Sequence, residues 1–148
     1  MVEDGIVCAL GGTGAVSTAV ENQLKALGTV ERLSGANRYE TSTMLADWRY
    51  GGSMPESIVM AYGYNFPDGL CAGLLGYEMG APLILTANGD ETQAALYAGT
   101  LGVTQGVVLG GPSLINDEAV RTILSLHEDD EVVSFSNMSA MVMALGRR

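Results

Sequence analysis

Short apolar runs alternate with amphipathic stretches from one end of this chain to the other, and that alternation limits the possible folds more than any single motif does. The runs are "IVCAL", "TVERL", "SIVMAYG", "PLILT", "GVVLGG" and "EVVSFS". Between them lie "STAVENQLKALG", "NRYETSTMLADWRY", "PDGLCAGLLGYEMG", "DETQAALYAGTLG" and "NDEAVRTILSLH", and a sixth such stretch, "NMSAMVMALGRR", closes the chain. Continuous Val/Ile/Leu runs bounded by glycine belong to strands covered on both faces, and β/α alternation belongs to a mostly parallel sheet. The expected fold is therefore α/β: an open three-layer sandwich, Rossmann-like or flavodoxin-like, with a mostly parallel sheet of about five to six strands. A closed barrel needs eight units, and six are visible.

The 148 residues fit a single α/β domain, 1–148, and a domain of that size buries about 70% of its unfolded surface. No apolar run is long enough to insert in a membrane, and Glu3 and Asp4 stand where a signal peptide carries positive charge. The chain is thus either cytosolic or a piece of a longer exported protein. Seventeen Asp and Glu against seven Lys and Arg give a net charge of −10. Such an acidic surface excludes non-specific nucleic-acid binding and argues against a basic membrane-surface helix. Cys8 and Cys71 lack metal-ligand or CxxC spacing and read as buried free thiols.

Helix starts are marked by a cap residue with an acid or amide three positions on: Thr18 and Glu21, Asn37 and Glu40, Asn65 and Asp68, Asp90 and Gln93. The chain also repeats itself. "LGGTGAVSTAVENQL" returns about a hundred residues later as "LGGPSLINDEAVRTIL", each followed by a further strand, "TVERLS" and "EVVSFS".

The first glycine turn, after a strand and before a helix, invites a dinucleotide reading, and Glu31 lies about twenty residues on. The third glycine of GxGxxG is missing, Glu31 falls inside its strand, and the second turn has Pro112 and Ser113 in place of Thr13 and Gly14. What recurs is a tight turn and a helix start, so Gly11 and Gly12 read as backbone freedom. His127 is the single histidine, and Glu128 to Glu131 form a solvated charged loop. Nothing in the sequence calls for a catalytic residue, a metal or a cofactor.

Two features remain. In "ERLSGANRYET", Arg32 and Arg38 flank a strand-to-helix turn with Tyr39 beside it. These arginines either hold an anion or sugar or pair with neighbouring carboxylates to fasten the fold. In the third amphipathic stretch Gly69, Gly73, Gly76 and Gly80 share one helix face, as a close-packed neighbour requires; the neighbour is the domain's own sheet or another subunit.

"VERLSGANRYET", "YGYNFPDGLCAGLLG", "GAPLILT" and "GVVLGGPSLINDEAV" occur in the order and spacing of the type 2 cell wall-binding repeat, and the chain resembles that family of Gram-positive surface proteins. The resemblance assigns 29–126 to one full repeat, 5–28 to the end of a preceding repeat and 127–148 to the degenerate start of a following unit. It implies a non-catalytic, extracellular cell-wall module that holds a surface protein to an anionic wall polymer, a secondary wall polysaccharide or a teichoic acid-like chain. It also implies packing against other repeats or copies of itself, in a trimer. Matching motif positions include Arg32, Gly35, Arg38, Thr41, Phe66, Pro67, Asp68, Pro82, Leu83, Ile84 and Leu85. Candidate polymer or repeat-interface residues are Arg32, Arg38, Tyr39, Asn65, Asp68, Pro82, Leu83, Ile84 and Leu85. The alternative is a cytosolic Rossmann-like nucleotide-binding or regulatory domain using the Gly11-Gly12 turn.

Overall fold

The computed structural model describes residues 5–134 and 141–145. Every apolar run of the sequence is a strand in it, and the stretches between them are helices. The order is β1 (Ile6–Leu10), α1 (Thr18–Leu24), β2 (Thr29–Leu33), α2 (Arg38–Tyr50), β3 (Ile58–Tyr62), α3 (Phe66–Met79), β4 (Leu83–Thr86), α4 (Thr92–Leu101), β5 (Gln105–Leu109), α5 (Asp117–Leu124), β6 (Glu131–Ser134) and β7 (Met141–Leu145).

The parallel sheet is smaller than the alternation predicts, because it is split. β1 and β2 form a two-stranded parallel sheet, with Ile6 opposite Thr29 and Leu10 opposite Leu33. The second sheet has the order β4-β3-β5-β7-β6, in which β4, β3 and β5 run parallel. β7 is antiparallel to both β5 and β6. The split has a local cause: the open edge of β4 is covered by α2, whose Ser42 Oγ accepts the Leu85 N–H at 3.0 Å. A backbone donor already satisfied by a side chain is not available to a sixth strand. The stretch expected to close the chain as a helix contributes β7 instead, its Met141–Leu145 lying along β5; residues 135–140 and 146–148 of that region lie outside the described residues.

Side-chain alternation sorts the core into two layers. Ile58, Met60 and Ile84 point to one face, where Ala46 of α2, Ala94 and Ala98 of α4, and Ala119, Val120, Ile123 and Leu124 of α5 cover them. Val59 and Ala61 point to the other, covered by Ala72 of α3. Each fully buried Ile, Leu or Met stabilises the fold by about 1.5–3 kcal/mol relative to exposure.

Among the described residues α3 is the one helix packed on that face, so much of it meets solvent: Leu70, Leu74 and Tyr77 are exposed. The glycine stripe does not serve one close contact. A Cβ at Gly76 would come within 2.8 Å of the Ala81 carbonyl, whereas at Gly69 and Gly73 it would meet nothing within 4 Å. Gly80 is the left-handed C-cap, at φ 62. The same outward face explains why Cys71 is exposed rather than buried; Cys8 is half-buried, and both are free thiols.

Two helix starts shift by a residue from their expected positions. Ser17, not Thr18, caps α1, its Oγ accepting from the Val20 N–H at 3.3 Å, and Glu91 rather than Asp90 occupies the cap position of α4. Asn37 caps α2 as expected, with Oδ1 accepting from the Glu40 N–H, while the Glu40 carboxylate reaches back to the Ala36 N–H at 2.7 Å. Asn65 sits at the start of α3 without a capping bond.

Candidate functional site

The gap that opens where the sheet splits is a cavity of about 720 Å³, within the size range of small-molecule and saccharide sites. One wall is the first glycine turn, with Leu10, Gly11, Gly12, Gly14 and Ala15. The second is the turn entering α2, with Gly35, Ala36, Asn37 and Arg38, continued by Thr41, Ser42 and Leu45. The third is the end of the main sheet, with Gly63, Leu83 and Leu85. Two features that the sequence offers as rival sites, the glycine turn and the arginine turn, thus face one space.

The two arginines have different roles there. Arg32, on β2, is half-buried and spends its guanidinium on the protein. Nε and Nη2 donate to Glu21 Oε2 at 3.1 and 2.7 Å, Nη2 also donates to the Val16 carbonyl at 2.8 Å, and Nη1 donates to the Gly11 carbonyl. This hydrogen bond, with the positive charge behind it, holds the Glu21 carboxyl below its ordinary value. Arg32 therefore fastens α1 and the glycine turn to β2, the fold-fastening alternative of the sequence. Gly11 itself needs φ +97, a conformation glycine adopts without strain.

Arg38 is exposed at the cavity mouth. Nη1 donates to the Gly63 carbonyl at 2.8 Å, and the guanidinium lies over the Tyr64 ring at 5.1 Å from its centroid. Its other N–H groups have no partner among the described residues. A guanidinium stacked on an aromatic face and tethered at one nitrogen is pre-oriented, with its remaining fork free for an anion.

Behind Arg38 the buried Tyr39 O–H donates to Asp90 Oδ2 at 3.2 Å, and the exposed Tyr64 O–H donates to the same oxygen at 2.9 Å. Burial, with Tyr64 and Asp90 alongside, pushes the Tyr39 hydroxyl well above the usual tyrosine range, so it stays a proton donor. Gly63 makes room for this ring: a Cβ there would approach Tyr39 Cε1 to 2.6 Å.

Of the predicted candidates, the structure brings Arg38, Leu83 and Leu85 onto the cavity. Tyr39 lies beneath it and Arg32 behind the glycine turn. Pro82 and Ile84 are buried in the core rather than at a binding surface, because alternate residues of β4 face opposite ways. Asn65 is exposed at the start of α3, and Asp68 faces the second glycine turn, 3.6 Å from where a Cβ on Gly110 would sit. Tyr64, Asp90 and Ser42 were absent from the candidates. Tyr64 lies two residues past the end of β3, and the clustering of loops at strand C-termini is the one signal that would have found it.

Known proteins resemble this chain in sequence and in fold. Residues 32–120 match the family described as Cell wall binding domain 2 (CWB2). The chain is similar to the amidase enhancer of Bacillus subtilis (strain 168), 39% identical over 77 residues, which cover 52% of this chain and 10% of that protein. It is also similar to N-acetylmuramoyl-L-alanine amidase LytC of the same organism, 28% identical over 121 residues, 80% of this chain and 24% of that protein. Its fold matches Cwp8 from Clostridium difficile with a TM-score of 0.64 at 24% identity, covering 82% of this chain and 20% of that one. The chain thus spans a quarter or less of the length of each. With more than half of its residues in the family match, and with the α/β fold of Cwp8, this chain belongs to the cell wall binding domain 2 family.

Proposed function

We propose that this chain is a non-catalytic module that holds a larger surface protein to the cell wall by binding an anionic wall polymer, and that the polymer lies across the cavity mouth at Arg38. Arg38 carries the reading: among the described residues it is the one cation on the cavity, and it keeps donors free in a protein of net charge −10. The apolar floor of Leu45, Leu83 and Leu85 suits a sugar face, and the Asn37 side-chain amide N–H groups on the cavity suit its hydroxyls. Such a module works outside the cell, beside further repeats or copies of itself, a trimer included.

The test is co-sedimentation with purified Gram-positive walls. Arg38→Ala is expected to weaken binding by roughly 10- to 100-fold, the loss of a charge-assisted hydrogen bond of about 1.5–3 kcal/mol. Arg49→Ala, an exposed arginine on the far end of α2, is expected to leave it unchanged. Added salt should weaken the interaction. Equal behaviour of the two variants removes the site, and absence of sedimentation removes the function.

The nucleotide reading keeps one observation in its favour, since Gly11 and Gly12 line the same cavity. The Gly11 N–H already donates to the Leu33 carbonyl and the Ala15 and Val16 N–H groups to the Gly12 carbonyl, and α1 is only seven residues long, so the turn offers little to a phosphate. A melting-temperature rise with NAD, NADP or another nucleotide, and none with wall fragments, would favour it over wall binding.

A further inference from the structure

The loop after β4 reads "ANGDE", and Asn88 is the one asparagine of the sequence that glycine follows. Its side chain clasps the second glycine turn, which folds like the first. Ala15 and Val16 N–H donate to the Gly12 carbonyl, as Leu114 and Ile115 N–H do to the Gly111 carbonyl. The Asn88 N–H donates to the Leu114 carbonyl at 3.0 Å and its Nδ2 to the Ser113 carbonyl at 3.2 Å, while Oδ1 accepts from the Asn116 N–H at 2.8 Å. The next residue is engaged too: the Gly89 N–H donates to Glu91 Oε1 at 2.6 Å. Asn88 and Gly89 are exposed, and a Cβ on Gly89 would meet nothing within 4 Å, so no side chain screens the Gly89 nitrogen.

An asparagine side-chain amide is an electrophile within reach of the next backbone nitrogen, and closure between the two makes a five-membered imide ring. Closure is ordinarily slow, because the backbone nitrogen holds its proton, the side-chain carbonyl is weakly polarised and its amide rotates freely. Each of these obstacles meets a partner here. The Glu91 carboxylate sits on the Gly89 N–H at the distance a general base requires. The Asn116 N–H, at the start of α5, points at Oδ1, where negative charge gathers in the tetrahedral intermediate. The Ser113 carbonyl accepts from Nδ2 and fixes the amide plane, so the electrophile is held in one orientation.

We infer that Asn88–Gly89 is a self-modifying site, at which the folded chain converts its own asparagine to aspartate and isoaspartate. The lone pair of the Gly89 nitrogen attacks Asn88 Cγ while Glu91 takes the Gly89 proton, and the carbonyl electron pair moves to Oδ1. As that pair returns, the Cγ–Nδ2 bond breaks, and Nδ2 leaves as ammonia with the proton that Glu91 gives up. Water then opens the imide at either carbonyl, giving aspartate or isoaspartate at position 88. Both products lack the donor to the Ser113 carbonyl. Isoaspartate also runs the main chain through Cγ, and so lengthens the loop that carries Asp90, the acceptor for Tyr39 and Tyr64 behind Arg38. The inference needs no polymer and stands or falls apart from the wall-binding reading.

The experiment incubates the full chain at neutral pH, folded and separately unfolded in urea, and follows ammonia release together with peptide mapping of position 88. Release is expected to be at least about tenfold faster from the folded chain, less than the usual contribution of a positioned base because Glu91 stays near in the unfolded sequence. Glu91→Gln should remove most of that difference while its melting temperature shows the variant folded. A folded chain that releases ammonia no faster than the unfolded one overturns the inference, since the same hydrogen bonds would then hold the amide out of reach. A folded Glu91→Gln chain that keeps the full rate overturns it as well. The first comparison needs no variant and decides the matter even if Glu91→Gln fails to fold.

Discussion

Arg32 reaches back from β2 to the first glycine turn, and Asn88 reaches forward from the loop after β4 to the second. The turns they hold have the same internal hydrogen bonds, yet one is fastened by a charge-assisted fork with an ion pair to Glu21 and the other by a neutral amide. The position that matches Arg32 in the second copy is Ser134, which has no guanidinium to offer. The comparison separates two things a conserved-looking turn can hide. Glycine sets its path, while its stability comes from whichever neighbour satisfies its outward carbonyls and N–H groups. The helices that follow differ in the same way: α5, packed on α4, buries an apolar face, and α1 buries no residue.

The largest expected effect tests that contrast in the helices. Ile123→Ala, at a fully buried position of α5, should cost about 2–5 kcal/mol in urea unfolding. Val20→Ala on α1 should stay within about 0.5 kcal/mol. A large cost at Val20 would mean that α1 is packed as α5 is, and the contrast would fail. Next comes Arg32→Ala, which should destabilise the β1–α1–β2 unit by about 1.5–3 kcal/mol. The expected sign is faster amide exchange in β1 and α1 with β5 and α5 unaffected. Arg32→Lys keeps the charge without the fork and should recover less than half of the loss.

How much of this was legible beforehand depended on the range of the interactions. β1 through β6 and α1 through α5 could be read because apolar runs and capping residues act over a few positions. The sheet split could not, because it turns on Ser42 of α2 meeting Leu85 of β4, 43 residues away. β7 was misread for a related reason: "MVMAL" is short and apolar throughout, a pattern without helical or strand period, and its pairing with β5 decides it. At the site, the arginine turn could be found by charge in so acidic a chain. That Arg32 turns inward and Arg38 outward depends on Glu21 and Gly63, which spacing alone does not bring near. Asn88 carried no local signal, since an asparagine after a strand reads as a loop residue.

Asn88→Ala is the third test and should be milder than the loss of Arg32, about 1 kcal/mol, because the bonds it removes are neutral and the residue is exposed. The Asn88 backbone N–H still holds the Leu114 carbonyl in that variant. Asn88→Asp keeps an acceptor for the Asn116 N–H and loses the donor to Ser113, so it should fall between the two. If Asn88→Ala loosened the first turn as much as the second, the two fastenings would not be independent.

The smallest effect, and the most selective, is acid. The Glu21 carboxyl titrates below its ordinary value of 4.5 because Arg32 donates to it, with the charges of Arg32 and Lys25 adding to the shift. A depressed folded value means that the opened unit takes up a proton more readily than the folded one. The contribution of Glu21 is therefore complete above the ordinary glutamate value, and it is lost as pH falls through that value and then through the lower folded one. Amide signals of β1 and α1 followed by NMR from neutral pH to below about 4.5 should report opening of the first turn. The Leu114 and Asn116 signals, held by a neutral asparagine, should persist over the same range. Glu21→Gln should abolish the acid response of the first turn and leave it loosened already at neutral pH. If both turns opened together in acid, the difference in fastening would lie elsewhere than in the Arg32–Glu21 pair.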